Sequence, residues 1–430
     1  METHRLLSPP ATAGPDRPLV WLAASCCLVF GGWCWLAGTL ALPPARTAPP
    51  PHCPGSAASY ALAHDFFGGD GFFDERQWLF FTAPDPTGGP TQYLSRADAL
   101  GGGLIEQGEG WAVLRAGPRE TRPEFPEHPR RQSVRIHSRR AWQHMLIAVS
   151  YSHVPHGCGV WPALWLYCDG AEVAHARDAD RCGPWPENGE IDLLEFSNEF
   201  FSKTSLHLGA HAQCKLDPVA VRGCGPFLDK NGMHYDCATD YFRGKGSLLS
   251  FLDGPKYGCA PNRRDTWPTP QQLNSAPGTF VFEWTPDAMK VWNFVAANVP
   301  RDLADGAPKP ATWDASKMWS FYPLAGDGCP GKRNLRPLNL VINIAFCGDW
   351  AGGDWARAFD DGWAGRGFLY DAAQQLLAES CASRWGGYGA STPRGACDGF
   401  ILSRDSDAVV ARDAYFNLTG LKVFTAVSAA

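Results

Sequence analysis

Gly189-Glu-Ile-Asp-Leu-Leu-Glu-Phe-Ser-Asn198 sets three carboxylates, Glu190, Asp192 and Glu195, into a stretch whose other residues suit a buried strand. Side chains alternate along a strand, so residues 190, 192 and 194 share one face and 191, 193 and 195 the other. In a regular strand Glu195 would point away from its two partners. One extra residue at Leu193-Leu194, a β-bulge, turns Glu195 back onto the face of Glu190 and Asp192 and leaves the apolar residues opposite. Three acids on one face repel one another, which should raise the pKa of at least one. By itself E-x-D-x-x-E also describes an acidic strand edge facing water, and so short a pattern recurs by chance. The flanking sequence decides between the two.

Upstream lie Trp161-Pro-Ala-Leu-Trp165 and Gly183-Pro-Trp185-Pro186. Together with the acidic strand these resemble the family-16 glycoside hydrolases, above all the fungal endo-β-1,3(4)-glucanases of laminarinase type. That family carries a Trp-Pro-Ala-aromatic-Trp run, a short Trp-Pro loop and Gly-Glu-Ile-Asp-x-x-Glu. Further segments fall in the family's order: Phe72-Phe-Asp74, Asp85-Pro-Thr-Gly88, Ser133-Val-Arg-Ile136, Gly157-Cys-Gly159, Leu206-His207, Glu283-Trp-Thr285, Lys290-Val-Trp292 and Phe346-Cys-Gly-Asp-Trp-Ala-Gly352. The resemblance runs from about residue 59 to about residue 425.

What the resemblance implies is a retaining glycosidase. One carboxylate attacks the anomeric carbon while a second, still protonated, donates to the leaving oxygen. Glu190 matches the family nucleophile, Glu195 the acid/base and Asp192 the assisting carboxylate, which should share a proton or hydrogen bond with Glu190. Trp165 and Trp185 match cleft tryptophans that stack on glucose rings, and Trp350 another cleft aromatic. His207 matches a histidine beside the catalytic acids, bonding a sugar or a carboxylate. Trp161 and Trp292 are assigned to core packing. Two departures stand out: Phe196 replaces a Gly and should add bulk beside the acid/base, narrowing a subsite, and Leu164 replaces an aromatic. His207 and His211 lack the spacing of a zinc motif, and no calcium-ligand cluster is specific enough to assert; no metal and no cofactor are assigned.

Composition agrees with an all-β protein. With 46 Gly, 36 Pro and 18 Trp in 430 residues, the chain is turn-rich and aromatic rather than helical. Short runs such as 133–136, 145–151, 278–284, 289–294, 338–346 and 418–424 alternate with turn residues, the pattern of a two-sheet antiparallel sandwich; the resemblance names it a β-jelly roll with a concave face. A net charge of −6 without a basic stripe excludes nucleic acid as a natural partner. Residues 213–277 and 353–399 read as insertions, the second with a helix over 369–379. A monomer acting on β-glucan is expected.

The N-terminus carries a separate signal. Residues 1–18 form a short polar tail, and residues 19–42 contain no charge, enough helix to span a bilayer core of about 30 Å. A run this much longer than the roughly 7–15 residues of a signal h-region favours an uncleaved anchor, and Arg5 and Arg17 before it, against Arg46 after it, favour the type II transmembrane orientation, with a cleaved signal near Thr39-Leu-Ala41 as the competing reading. Residues 43–58, with six prolines between Pro43 and Pro54, read as a stiff linker to a catalytic domain over 59–427. Of 15 cysteines, three lie in the apolar run, and the other twelve suggest up to six disulfides in a secretory compartment. The sequon Asn417-Leu-Thr419 agrees with that route. Two alternatives use the same residues: a cell-wall transglycosylase of the β-1,6-glucan assembly type, and a β-glucan-binding protein without turnover. The presence of all three carboxylates counts against the latter.

Overall fold

The computed structural model describes residues 53–57, 59–120, 129–168, 185–200, 203–209, 211–225, 227–229, 235–239, 258–263, 268–356 and 380–427. The expected anchor, the polar tail, most of the linker and the helix over 369–379 lie outside the described residues. Among the described residues no helix is long and apolar enough to cross a membrane.

Two large sheets stack face to face. The first runs, edge to edge, through Ala238–Thr239, Lys203–Gly209, Glu190–Glu195, Val160–Tyr167, Leu338–Phe346, Arg135–Trp142 and Trp78–Phe80. Its neighbours pair antiparallel except Lys203–Gly209 with Ala238–Thr239, which are parallel. The second sheet is built around Gly278–Trp284, Ala288–Val295, Met145–His153 and the twelve-residue Tyr415–Ala426. Five of the six expected strands are present, while the run 133–136 straddles the break between Arg130–Ser133 and Arg135–Trp142, and the architecture is the β-sandwich anticipated. Asn417 of the sequon sits within Tyr415–Ala426, paired on both sides, with its side-chain oxygen buried.

Leu338–Phe346 shows why the sheets stack. Leu338, Leu340, Ile342, Ile344 and Phe346 enter the common core, while Asn339, Val341, Asn343 and Ala345 take the opposite face. Val160–Tyr167 follows the same rule, with Val160, Leu164 and Leu166 in the core. Trp284 and Trp292 of the second sheet are almost wholly buried, as expected of Trp292. Burying such apolar faces contributes about 25 cal/mol per Å², the main force holding the layers together.

Helices occupy the connections. The 353–399 segment ends in Cys381–Trp385 and Pro393–Ile401, followed by Asp407–Asp413, none anticipated from the sequence. Their loops are tied by disulfides: Cys158–Cys381 and Cys347–Cys397 fasten them to strand ends of the first sheet, and Cys214–Cys329 and Cys237–Cys259 pin the 213–277 segment.

Candidate active site

The acidic strand is bulged where its spacing requires. Against Val160–Tyr167, Glu190 pairs with Tyr167, Ile191 with Leu166 and Asp192 with Trp165; Leu194 then pairs with Leu164 and Glu195 with Ala163, leaving Leu193 as the extra residue. Ile191, Leu193 and Leu194 all enter the core. Glu190, Asp192 and Glu195 therefore share the face that carries Trp161, Ala163, Trp165 and Tyr167. Four steps on the partner strand separate Tyr167 from Ala163, about 13 Å of backbone at roughly 3.3 Å per residue. Gly189 admits the chain to this strand at φ +86°, where an added Cβ would lie 2.3 Å from Leu335 Cδ2.

Each glutamate lies under an indole. Trp185 Nε1 donates to Glu190 Oε2 at 2.7 Å, and Trp161 Nε1 donates to Glu195 Oε1 at 2.8 Å. Trp161 packs edge-on against Trp350, ring centroids 5.5 Å apart, which brings Trp350 to the same place. The assignment of Trp161 to the core is thus corrected: it is half-buried and bonded to a carboxylate, because it shares the strand parity of Trp165. Trp165 is half-buried too, donates to Asn343 Oδ1 at 2.7 Å and stacks on Tyr167.

Asp192 is buried, and its carboxylate accepts from Ser205 Oγ at 2.5 Å and lies 3.1 Å from His207 Nε2. His207 also meets Ser205 Oγ and, through Nδ1, Thr239 Oγ1. These are the neighbouring-strand partners: Ser205 pairs with Asp192 and His207 with Glu190. Asp192 was expected to hydrogen-bond Glu190; it instead bonds Ser205 and His207 and acts on Glu190 through its charge. Glu190, Asp192 and His207 offer ligand atoms within 4.8 Å of one another. His211 is exposed.

Burial, then the charges of Asp192 and Glu195, push the Glu190 carboxyl well above the ordinary carboxylate range; the Trp185 N–H and the Arg135 guanidinium pull the other way. The repulsion expected of three acids is present, and it falls on Glu190, the residue the resemblance makes the ionised nucleophile. In that role Glu190 would have to give up the proton that these surroundings favour on it before it could attack. Arg135 is buried on the same sheet face, with its guanidinium over the rings of Phe81 and Trp165 at 4.5 and 5.0 Å. Its Nε donates to His137 Nε2 at 2.9 Å; burial and that cation keep the His137 ring well below its usual pKa.

Phe196 corrects a second expectation. It is fully buried in the core, so its bulk fills the sandwich and narrows no subsite. Leu164 is buried likewise. Beyond Phe196, Asn198 takes φ 60°, accepts from Gly159 N at 2.7 Å and donates to Ala351 O at 3.1 Å, locking the end of the acidic strand to two loops.

A β-sandwich with a carboxylate trio on one sheet face, each glutamate capped by an indole, defines a protein of the glycosidase jelly-roll class. Residues 78–366 match the family profile described as XgeA-like, catalytic GH16 domain, and the chain belongs to glycoside hydrolase family 16. It is 29% identical over 69% of its length to a probable glycosidase of Schizosaccharomyces pombe, covering 61% of that protein. It is 28% identical over 70% of its length to an endo-1,3(4)-β-glucanase of Arthroderma benhamiae, covering 57% of that one. The chain thus spans about three fifths of the length of these curated relatives. Among solved structures it resembles laminarinase 16A of Phanerochaete chrysosporium, determined with β-glucans in donor and acceptor sites (TM-score 0.56, 24% identity, 86% of this chain and all of that one). An elongating family-16 β-1,3-glucosyltransferase has a TM-score of 0.58 at 22% identity, over 85% of this chain and all of that one. These two likenesses show the fold.

Proposed function

We propose that the chain is an endo-acting hydrolase of β-1,3- or mixed β-1,3/1,4-glucan that works by retaining double displacement. The observation that carries this reading is the bulge at Leu193, which sets Glu195 on the face of Glu190 and Asp192. Glu190 attacks the anomeric carbon, and Glu195 protonates the departing oxygen and then draws a proton from water. Asp192, fixed by Ser205 and His207, acts on Glu190 through its charge and raises its carboxyl, so the mechanism requires Glu190 to have shed its proton, with the trio's proton on Glu195, when attack begins. Trp165, Trp185 and Trp350 offer half-buried aromatic surface to glucose rings. The naming of fungal relatives as endo-1,3(4)-β-glucanases supports the substrate class.

Product analysis of the full chain on laminarin and lichenan tests this. Shortened oligosaccharides are expected, with the anomeric configuration retained at first release. Products longer than the starting oligomers would assign a transglycosylase, and unchanged chain lengths a binding protein. Glu190→Gln and Glu195→Gln should each lower turnover by about 10²-fold or more while the fold persists; near-normal activity in either variant refutes its role. Residues 19–42 are proposed as a type II membrane anchor that places a monomeric catalytic domain outside the cytoplasm. Carbonate-resistant membrane association, lost on deleting 19–42, is the expected result.

A further inference from the structure

The back of the sandwich holds two buried charges that the catalytic reading does not use. Glu283 and Lys290 face each other in register across Gly278–Trp284 and Ala288–Val295, 1% and 2% exposed. Charges so deep need partners. The segment leading into the domain supplies them. Glu283 accepts from Ser56 Oγ at 2.7 Å, Ala57 N at 3.0 Å and Tyr60 Oη at 2.9 Å. Lys290 Nζ donates to Cys53 O at 2.8 Å and Ser56 Oγ at 2.7 Å. Gly55 lies so close to the sheet that a Cβ there would be 2.7 Å from Ala288 Cβ, and Thr285 Oγ1 donates to its carbonyl at 2.5 Å. The linker assigned to 43–58 has therefore joined the folded unit by Cys53.

This docking delivers Cys53 to Cys224, at the end of the short helix Pro218–Gly223. Both are buried thiols, and Cys53 Sγ donates to Cys224 O at 3.6 Å. Among the described residues four disulfides already tie segments together, the mark of folding in the presence of disulfide oxidants. We infer that Cys53 and Cys224 form a modification site, a redox-closable staple that fastens the leading segment to the 213–277 excursion over the back sheet. A small disulfide such as oxidised glutathione is the oxidant. The Cys53 thiolate attacks one of its sulfurs and expels one glutathione thiolate. The Cys224 thiolate then attacks the Cys53 sulfur and expels the second. Both thiol protons pass to solvent, and the two electrons leave in two reduced glutathiones. The neighbouring Cys224 thiol, hydrogen-bonding to the Cys53 sulfur, holds Cys53 below its ordinary pKa, with burial opposing and Lys290 assisting, which favours Cys53 as the attacking sulfur.

The staple does not depend on the catalytic assignment. The test exposes the full chain to oxidised glutathione, alkylates it after unfolding, and maps peptides without reduction. The expected result is a Cys53–Cys224 linked peptide and the loss of both alkylation sites. Cys53→Ser should leave Cys224 alkylated, and closure should raise the melting temperature of the native chain but not of Cys224→Ala. Persistent alkylation of both residues, or linkage of either to another cysteine, overturns the proposal. A linked peptide with an unchanged melting temperature overturns the fastening role.

Discussion

Trp161 Nε1 donates to Glu195 Oε1 at 2.8 Å, from a strand position that also lets the Trp161 ring meet Trp350 edge-on. An N–H aimed at a carboxyl fixes its rotamer as well as its charge. Hydrogen bonds to charged groups contribute about 1.5–3 kcal/mol, and each 1.36 kcal/mol is about tenfold in rate. Trp161→Phe keeps an aromatic ring and deletes the donor, so kcat should fall about 10- to 100-fold with KM little changed. Steady-state kinetics on laminari-oligosaccharides decides the matter. A raised KM with intact kcat would make Trp161 a sugar platform and nothing more.

Trp185→Phe removes a donor that opposes the upward shift of Glu190. Without it the Glu190 carboxyl rises further, and the proposed nucleophile is ionised only at higher pH. The acidic limb of the kcat/KM profile should move to higher pH. A profile whose acidic limb stays in place would show that Glu190 does not control that limb.

The same shift has a stability consequence. A carboxyl whose folded pKa lies above its unfolded value, about 4.3 for Glu, stabilises the fold below that value and loses the contribution as pH rises through the folded pKa. Wild-type protein at pH 8 bears this loss, whereas Glu190→Gln cannot ionise and does not. The variant should therefore melt a few degrees above wild type at pH 8, and the two should converge near pH 4. Thermal melts across that range check it; a variant less stable at pH 8 would contradict the half-buried, charge-crowded description of Glu190.

Much of this site was legible because strand parity is a strict rule. The bulge followed from the need to keep Leu193 and Leu194 dry while placing three acids together, and the register bears it out. Parity applied one step further would have found the rest. Trp161 lies four residues before Trp165 on one regular strand, so the two share a face. Phe196 follows Glu195 directly and alternates into the core. Both were misjudged by comparing residue types instead of counting positions. The Ser205–His207–Thr239 support of Asp192 was less legible, since it spans three strands, one of them a parallel neighbour whose pairing no local pattern encodes. The short helices near the C-terminus were hidden for a similar reason. Pro393–Ile401 is capped by Thr392 and held by Cys397, long-range constraints rather than helical periodicity.

Phe196 offers a direct check on that correction. If its ring fills the sandwich, Phe196→Ala should lower stability by about 3–5 kcal/mol, the usual cost of emptying a buried aromatic site. Denaturant unfolding measures it. Tighter or looser substrate binding with unchanged stability would instead restore Phe196 to a subsite.

The loop that carries Trp350 hangs from the end of Leu338–Phe346. Cys347 and Gly348 take φ 53° and 59°, turning the chain out of the sheet, and the Cys347–Cys397 disulfide ties that turn to Pro393–Ile401. Arg394 of the same helix bonds Asp349 at 2.7 Å, beside Trp350. Cutting the covalent tie with Cys397→Ala leaves the carboxylate trio on its own strand but frees the turn under Trp350. KM for long oligosaccharides should rise several-fold, kcat should change less, and the melting temperature should fall, since a disulfide closing a loop of this length contributes about 2–4 kcal/mol. A variant with lower melting temperature and unaltered KM would show that the disulfide does not position Trp350 for the substrate.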